Sequence, residues 1–238
     1  MLTLFFVDNL PTAVGSIYEF NNDDALHAIR VLRMKSGDLF NLSDGKGAWS
    51  RVEAKQVSKK HMTVQVLETG YQDPLSCTFI VIQAIPKGDR IKESIELCTE
   101  GGADRIVMWK AARSIGKSDD KIEKLKTTAR EASKQSRRFR IPEVIGVATT
   151  SAVVDQIAQA DCAIVFHESA TMTLSQVVIP GCKSVAIVIG PEGGLTDDEI
   201  DTFAAAGAKV ALMGRPVLRS AHAGLAALSA LNTALSVW

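Results

Sequence analysis

Two loops in the carboxyl-terminal third carry residues whose types and spacing suit chemistry. The first, Gly190-Pro191-Glu192-Gly193-Gly194, directly follows the apolar run Ser184 to Ile189. It is glycine-rich but not a phosphate cradle. It matches neither G-x-G-x-x-G nor G-x-x-x-x-G-K-[ST], Pro191 removes a backbone donor, and Glu192 puts negative charge where a phosphate would lie. A cationic ligand, or one held by backbone groups at close range, suits it better, because glycine permits unusual φ and close approach. A tight strand-to-helix turn would use the same residues. The second loop, Leu212 to Gly224, mixes Gly214, Pro216, Arg215, Arg219 and His222. It is longer than the roughly 2 to 6 residues that a strand-to-helix connection takes, which points to something being bound or positioned there. A third segment, Ala129 to Pro142, sets Arg130, Arg137, Arg138 and Arg140 beside Gln135, Ser136 and Phe139. Guanidinium forks next to one aromatic suit phosphate oxygens and base stacking, and equally a basic helix end favoured by the macrodipole.

The elements that must position these loops follow from hydrophobic periodicity. Beyond Pro74, short apolar runs at Thr78 to Ile85, Arg105 to Trp109, Glu143 to Val147, Cys162 to Phe166, Ser184 to Ile189 and Lys209 to Met213 read as buried strands. Amphipathic helices alternate with them: Ile91, Ile95 and Cys98 share one face, as do Ile122, Leu125, Ala129 and Ala132. Thr196-Asp197-Asp198-Glu199 is a capping box that opens a helix closed by Gly207, and a final helix over about 221 to 236 carries Leu225, Leu228, Leu231 and Leu235. This alternation implies a largely parallel sheet covered on both faces, whose ligands sit beyond the carboxyl ends of the strands. The residues before about 72 differ. Strands at Leu2 to Val7, Leu39 to Leu42, Ala48 to Val57 and Met62 to Leu67, with one helix from Asp24 to Arg33, suggest a compact β-barrel module. The expected domains are therefore 1–72 and 73–238.

Composition narrows the class. With 238 residues, 46% hydrophobic and 23% charged, the chain is that of a folded globular protein. Its four cysteines, Cys77, Cys98, Cys162 and Cys182, form no C-x-x-C pair, which argues against a zinc ribbon or a disulfide scaffold and for a reducing compartment. No metal is expected. The amino terminus lacks a basic segment before its apolar residues, and no apolar run nears the ~20 residues that span a bilayer, so the expectation is a cytoplasmic protein without a membrane partner. Net charge is zero, yet unevenly spread: residues 30 to 60 hold 8 Lys/Arg against 3 Asp/Glu, residues 110 to 140 hold 11 against 4, and residues 141 to 238 hold 4 against 9. Two basic blocks in a neutral molecule can present a local positive face to a polyanion, or a merely solvated one.

Taken in order, these motifs resemble the ribosomal RNA small subunit methyltransferase E family, within the SPOUT class of S-adenosyl-L-methionine-dependent RNA methyltransferases. The resemblance rests on Gly190 to Gly194, the Met213-Gly214 strand end, Val217-Leu218-Arg219, and Glu131-Ala132-x-x-Gln135-Ser136-x-Arg138 with Pro142. It extends through His27-x-x-x-Val31-Leu32-Arg33, Gly37-Asp38, Lys87-x-Asp89-Arg90, Thr99-Glu100-x-Gly102 and Arg113-Ser114. It implies an α/β protein with a PUA-like β-barrel, then a SPOUT domain with a deep trefoil knot, which periodicity could not reveal. It also implies a homodimer that methylates N3 of one uridine in 16S ribosomal RNA, acting on the RNA or the small subunit. The resemblance assigns the S-adenosyl-L-methionine site to Ile189, Gly190, Glu192, Gly193, Gly194, Leu212, Met213, Gly214, Val217, Leu218, Arg219, Ser220 and Ala223. RNA contacts are expected at His27, Arg30, Arg33, Arg113, Gln135, Arg137 and Arg138.

For catalysis, Arg219 is the candidate for stabilising a developing uracil anion. Where the family commonly reads Leu-Arg-x-Glu-Thr-Ala, this chain reads Leu218-Arg219-Ser220-Ala221-His222-Ala223. His222 is accordingly the candidate proton acceptor. The missing carboxylate motivates a second expectation, a ribosome-binding assembly factor of the same fold with lost or altered activity. A nicotinamide-dependent enzyme is a third, disfavoured by the absent dinucleotide fingerprint.

Overall fold

The computed structural model describes residues 2–116, 122–178 and 180–238. It divides into two compact units, one of Met1–Pro74 with Ser133–Ile141 and the other of Leu75–Ala132 with Pro142–Trp238.

The first unit is a five-stranded sheet, in the order β1 (Leu4–Phe6), β3 (Leu39–Ser43), β4 (Ala48–Val57), β5 (Met62–Tyr71) and β2 (Ile17–Phe20), with helix α1 (Asp23–Arg30). Only β1 and β3 run parallel. Alternation along β4 and β5 turns Val52, Ala54, Met62, Val64 and Val66 inward, as the two-residue repeat of a strand requires. They close on Phe5, Phe20 and Phe40, whose ring centroids lie 5.4 to 5.8 Å apart. Asn22 caps α1 by accepting from the Ala25 N–H at 3.0 Å, and Ala25 and Ala28 give the helix its small buried face.

Residues Ser133–Ile141 return to this unit. Phe139 stacks on Trp49 at 5.6 Å and 17°, and the Phe139 carbonyl accepts from the Gly47 N–H. Arg140 donates to the Tyr71 hydroxyl at 2.6 Å and to the Gln72 carbonyl at 3.0 Å. Lys134 pairs with Asp24 at 2.6 Å, both side chains being nearly buried. Gly47, at φ 113°, is obligatory here: a Cβ would lie 2.6 Å from the Arg140 guanidinium and 2.7 Å from the Gln72 carbonyl oxygen.

The second unit is a six-stranded, wholly parallel sheet. Its order is β11 (Lys209–Ala211), β9 (Cys162–Phe166), β10 (Ser184–Ile189), β6 (Thr78–Ala84), β7 (Arg105–Trp109) and β8 (Glu143–Ala148). Helices α2 (Arg90–Glu100), α3 (Ile122–Ser136), α4 (Thr150–Gln159), α5 (Leu174–Val177), α6 (Asp197–Ala205) and α7 (Ser220–Ala234) complete the elements. Along β6, Ile80, Ile82 and Ala84 join Val153 and Ile157 of α4, and Phe203 of α6, in one core layer. Trp109 meets Phe203 there edge to face at 5.2 Å. Val81 and Gln83 point to the opposite face, beneath α7. From β6 the chain runs outward through β7 and β8 on one side, while β10, β9 and β11 lie on the other, so the strand order reverses beside β6, and in such sheets ligands sit beyond the carboxyl ends of the strands. The last strand stops at Ala211 rather than Met213, because Leu212 leaves the ladder and donates its N–H to the Met172 carbonyl at 2.7 Å.

Candidate functional site

A cleft of about 340 Å³ lies at the carboxyl ends of β9, β10 and β11, within the usual range for a small-molecule site. The first loop contributes Ile189, Gly190, Glu192 and Gly194, and Leu195 closes its apolar side. The second contributes Leu212, Met213, Gly214, Val217, Leu218, Arg219, Ser220 and Ala223. The two segments are tied directly: Ser220 Oγ donates to the Gly190 carbonyl at 2.6 Å. The end of β9, with His167 and Glu168, forms a further wall that sequence reasoning did not single out.

The glycine-rich turn is held from outside the cleft. Glu199, 6% exposed, accepts from the Thr196 N–H at 2.9 Å through one carboxylate oxygen, completing the capping box of α6. Through the other it accepts from the Ala112 N–H at 2.7 Å, which binds the loop after β7 to the start of α6. Arg113, on that same loop, donates to the carbonyls of Gly193 at 3.2 Å and Leu195 at 3.1 Å. Arg113, expected to meet RNA, thus has its guanidinium on the turn. Gly193, expected to hold the cofactor, is not among the residues that line the cleft; a Cβ there would meet the Arg113 Cβ at 3.1 Å. Glu192 faces inward but is engaged. Both its oxygens accept from the Lys87 N–H at 3.2 Å, and Arg90 lies 3.6 Å away. It therefore joins the turn to the loop before α2.

Arg219 is the N-cap residue of α7, exposed at the rim of the cleft. Its carbonyl accepts from the N–H groups of His222 and Ala223, while among the described residues its guanidinium makes no hydrogen bond or ion pair. His222 sits three positions on, outside the cleft lining, with Nε2 3.0 Å from Glu93 Oε1 on α2. Ala221 is 1% exposed and likewise does not line the cleft, so its difference from the resembling family strips no carboxylate from the wall. Of the residues expected to meet RNA, His27, Arg30 and Arg33 are exposed on α1 and the turn after it, with Arg33 at φ 55°. Gln135 lies in the last turn of α3 and Arg137 and Arg138 directly follow it, within the same compact unit, Arg137 at φ 58°. The Lys134–Asp24 pair fastens that end of α3 to the first turn of α1. No helix among the described residues is long and apolar enough to cross a membrane.

The family model described as RNA methyltransferase domain matches residues 73–232, and the one described as RNA methyltransferase PUA domain matches residues 20–67. A ribosomal RNA small subunit methyltransferase E from Mycobacterium tuberculosis is 35% identical over 99% of this chain and 93% of its own length. The protein of that name from Bacillus subtilis is 30% identical over 97% of this chain and 93% of its own. The crystal structure of a ribosomal RNA small subunit methyltransferase E from Neisseria gonorrhoeae bound to S-adenosyl methionine has the same fold, with a TM-score of 0.89 at 22% identity and 98% coverage of both chains. A PUA-like module followed by an α/β methyltransferase domain, matched along nearly its full length, places this chain in the ribosomal RNA small subunit methyltransferase E family of RNA methyltransferases.

Proposed function

We propose that the protein is an S-adenosyl-L-methionine-dependent methyltransferase that modifies N3 of one uridine in 16S ribosomal RNA, in the cytoplasm and as a homodimer. The observation that carries this reading is the cleft itself, formed where the turn at 190–194 and the segment 212–223 are tied by the Ser220–Gly190 hydrogen bond. Its walls suit that donor. Glycine backbone and the apolar side chains of Ile189, Leu195, Leu212, Val217 and Leu218 can hold an adenosine by close contact. The N-terminus of α6, where a nucleotide phosphate would otherwise settle, is filled by its own capping box and carries Asp197, Asp198 and Glu199 in its first turn. Bound in the cleft, S-adenosyl-L-methionine supplies an electrophilic methyl group.

The chain's own residues must then present a uracil N3 and take its proton. N3 lies on the Watson–Crick edge, so the base has to be unpaired or extruded. Arg219, at the rim with its guanidinium unengaged, is the residue to hold the base as its N3 becomes anionic, by electrostatics that strengthen as water leaves. His222 is the proposed proton acceptor. A hydrogen bond from Nε2–H to Glu93 fixes the imidazole and leaves the Nδ1 lone pair for the proton. Glu93 thereby acts as the orienting carboxylate.

Charged arginines on α1 and at the end of α3 make the first unit the proposed grip on RNA. Mass spectrometry of ribosomal RNA from a deletion strain tests the assignment. Loss of one 3-methyluridine supports it, whereas an unchanged methyluridine content favours an assembly factor of the same fold.

A further inference from the structure

Gln83 is the one polar residue in the run Phe79 to Ala84 of β6, and it is fully buried. In register it faces Ile189 of β10 on one side and Met108 of β7 on the other, at the carboxyl ends of the central strands. Its amide nitrogen donates to the Ala84 carbonyl and to Ser220 Oγ, both at 2.9 Å. Ser220 Oγ in turn donates to the Gly190 carbonyl at 2.6 Å. Among the described residues, the amide oxygen of Gln83 is buried without a hydrogen-bond partner. One turn further along α7, Gly224 lets the helix sit directly on the sheet and on α2. A Cβ there would lie 2.6 Å from Cys98 Sγ, 3.6 Å from Val81 and 3.8 Å from the Gln83 amide oxygen.

A buried amide with an unpaired oxygen is a poor way to stabilise a sheet. An apolar side chain of the same shape would cost nothing in lost hydration. The nitrogen, however, does something no apolar side chain does. It fills the acceptor side of the Ser220 hydroxyl and so commits the hydroxyl hydrogen to Gly190. A three-residue chain of hydrogen bonds then runs from β6, through the first residue of α7, to the first residue of the glycine-rich turn. We propose that Gln83 and Ser220 are positioning residues for methyl transfer, setting the distance between the two loops that grip the donor. This rests on the cleft being the S-adenosyl-L-methionine site, and neither residue need touch the reacting atoms.

The test uses the full-length protein with Gln83→Leu, Ser220→Ala, Ser220→Thr and the Gln83→Leu/Ser220→Ala double variant. S-adenosyl-L-methionine affinity is read by calorimetry, KM and kcat on small subunits, and stability by melting temperature. Gln83→Leu is expected to melt at or above the parent while its donor Kd and KM rise about tenfold, as loss of one hydrogen bond from the cleft would give. Ser220→Ala should do the same, and the double variant should bind no worse than either single one, because both break one chain. Ser220→Thr, which keeps the hydroxyl, should recover most of the lost affinity. A Gln83→Leu protein that melts lower and binds the donor as tightly as the parent would show a merely structural amide and overturn the proposal. Should Gln83→Leu fail to fold, Ser220→Ala with unchanged affinity overturns it equally. A parent protein that takes up no S-adenosyl-L-methionine sinks the reading of the cleft, and this proposal with it.

Discussion

Replacing Glu199 by alanine tests whether the glycine-rich turn owes its place to one carboxylate. The side chain is buried and spends each oxygen on a main-chain donor, the N–H of Thr196 and the N–H of Ala112. Loss of the capping box costs about 1 kcal/mol. Removing the charge-assisted bond to Ala112 adds about 2 kcal/mol, the middle of the range for a bond to an ionised acceptor. The sum, about 3 kcal/mol, lowers the melting temperature of a chain this size by about 6 to 12 °C. Glu199→Gln retains one acceptor oxygen but sets an amide N–H₂ against the other main-chain N–H, so it should lose about half as much. Differential scanning calorimetry at pH 7 measures both. S-adenosyl-L-methionine titration of the folded variants should show weaker binding in the same order, because the turn then keeps its ties to Arg113, Lys87 and Ser220 but loses the one through the start of α6. An alanine variant that melts within about 2 °C of the parent would refute the reasoning, since that shift corresponds to less than about 1 kcal/mol.

Two further outcomes follow from the same geometry. Reversing the charges of Arg33, Arg137 and Arg138 together should weaken RNA association and flatten the plot of log K against log salt by about 2 to 3, at about 0.7 to 0.9 per lost phosphate contact. Donor affinity should be unchanged, and an unaltered slope would remove these residues from the RNA surface. Burial pushes the Cys98 thiol up to about 12, from an ordinary value of 9.0. The folded protein then keeps the proton that the unfolded chain gives up near pH 9, so this contribution to stability is intact below pH 9 and declines from there toward pH 12. Denaturant titrations across that window should show a steeper decline in the parent than in Cys98→Ala, which keeps the thiol of Cys77, also raised to about 12 by burial. A Cys98 thiol that reacts readily with iodoacetamide at pH 8 in the folded protein would contradict it.

What the sequence made legible is mostly what local pattern encodes. Ala48 to Val57, Arg105 to Trp109, Cys162 to Phe166 and Ser184 to Ile189 are strands with the bounds their periodicity predicts, and the Thr196–Glu199 box caps α6. Strand β2 escaped because Ile17 to Phe20 is four residues long with one fully buried side chain, too short for its alternation to stand out; it is a strand because the long β5 offers it an edge. The basic segment near 137 read as a candidate RNA grip throughout, whereas Phe139 and Arg140 are spent on Trp49 and Tyr71, roughly seventy to ninety residues away in the chain. Still longer separations, 129 and 137 residues, hid Glu93 from His222 and Gln83 from Ser220. A lone amide in an apolar run was a signal for Gln83 that strand periodicity passes over, because a buried polar residue announces a partner without naming it.

The most direct measurement of the central claim is to incubate the purified protein with S-adenosyl-L-methionine and small ribosomal subunits that lack its modification, then map the methylated nucleotide by mass spectrometry of nuclease digests. The account predicts a single new methyl group, on N3 of one uridine in 16S ribosomal RNA, its formation sharply reduced in Arg219→Ala. A methyl group on carbon 5 or on a ribose hydroxyl, or subunits left unmethylated by folded, donor-binding protein, would contradict it.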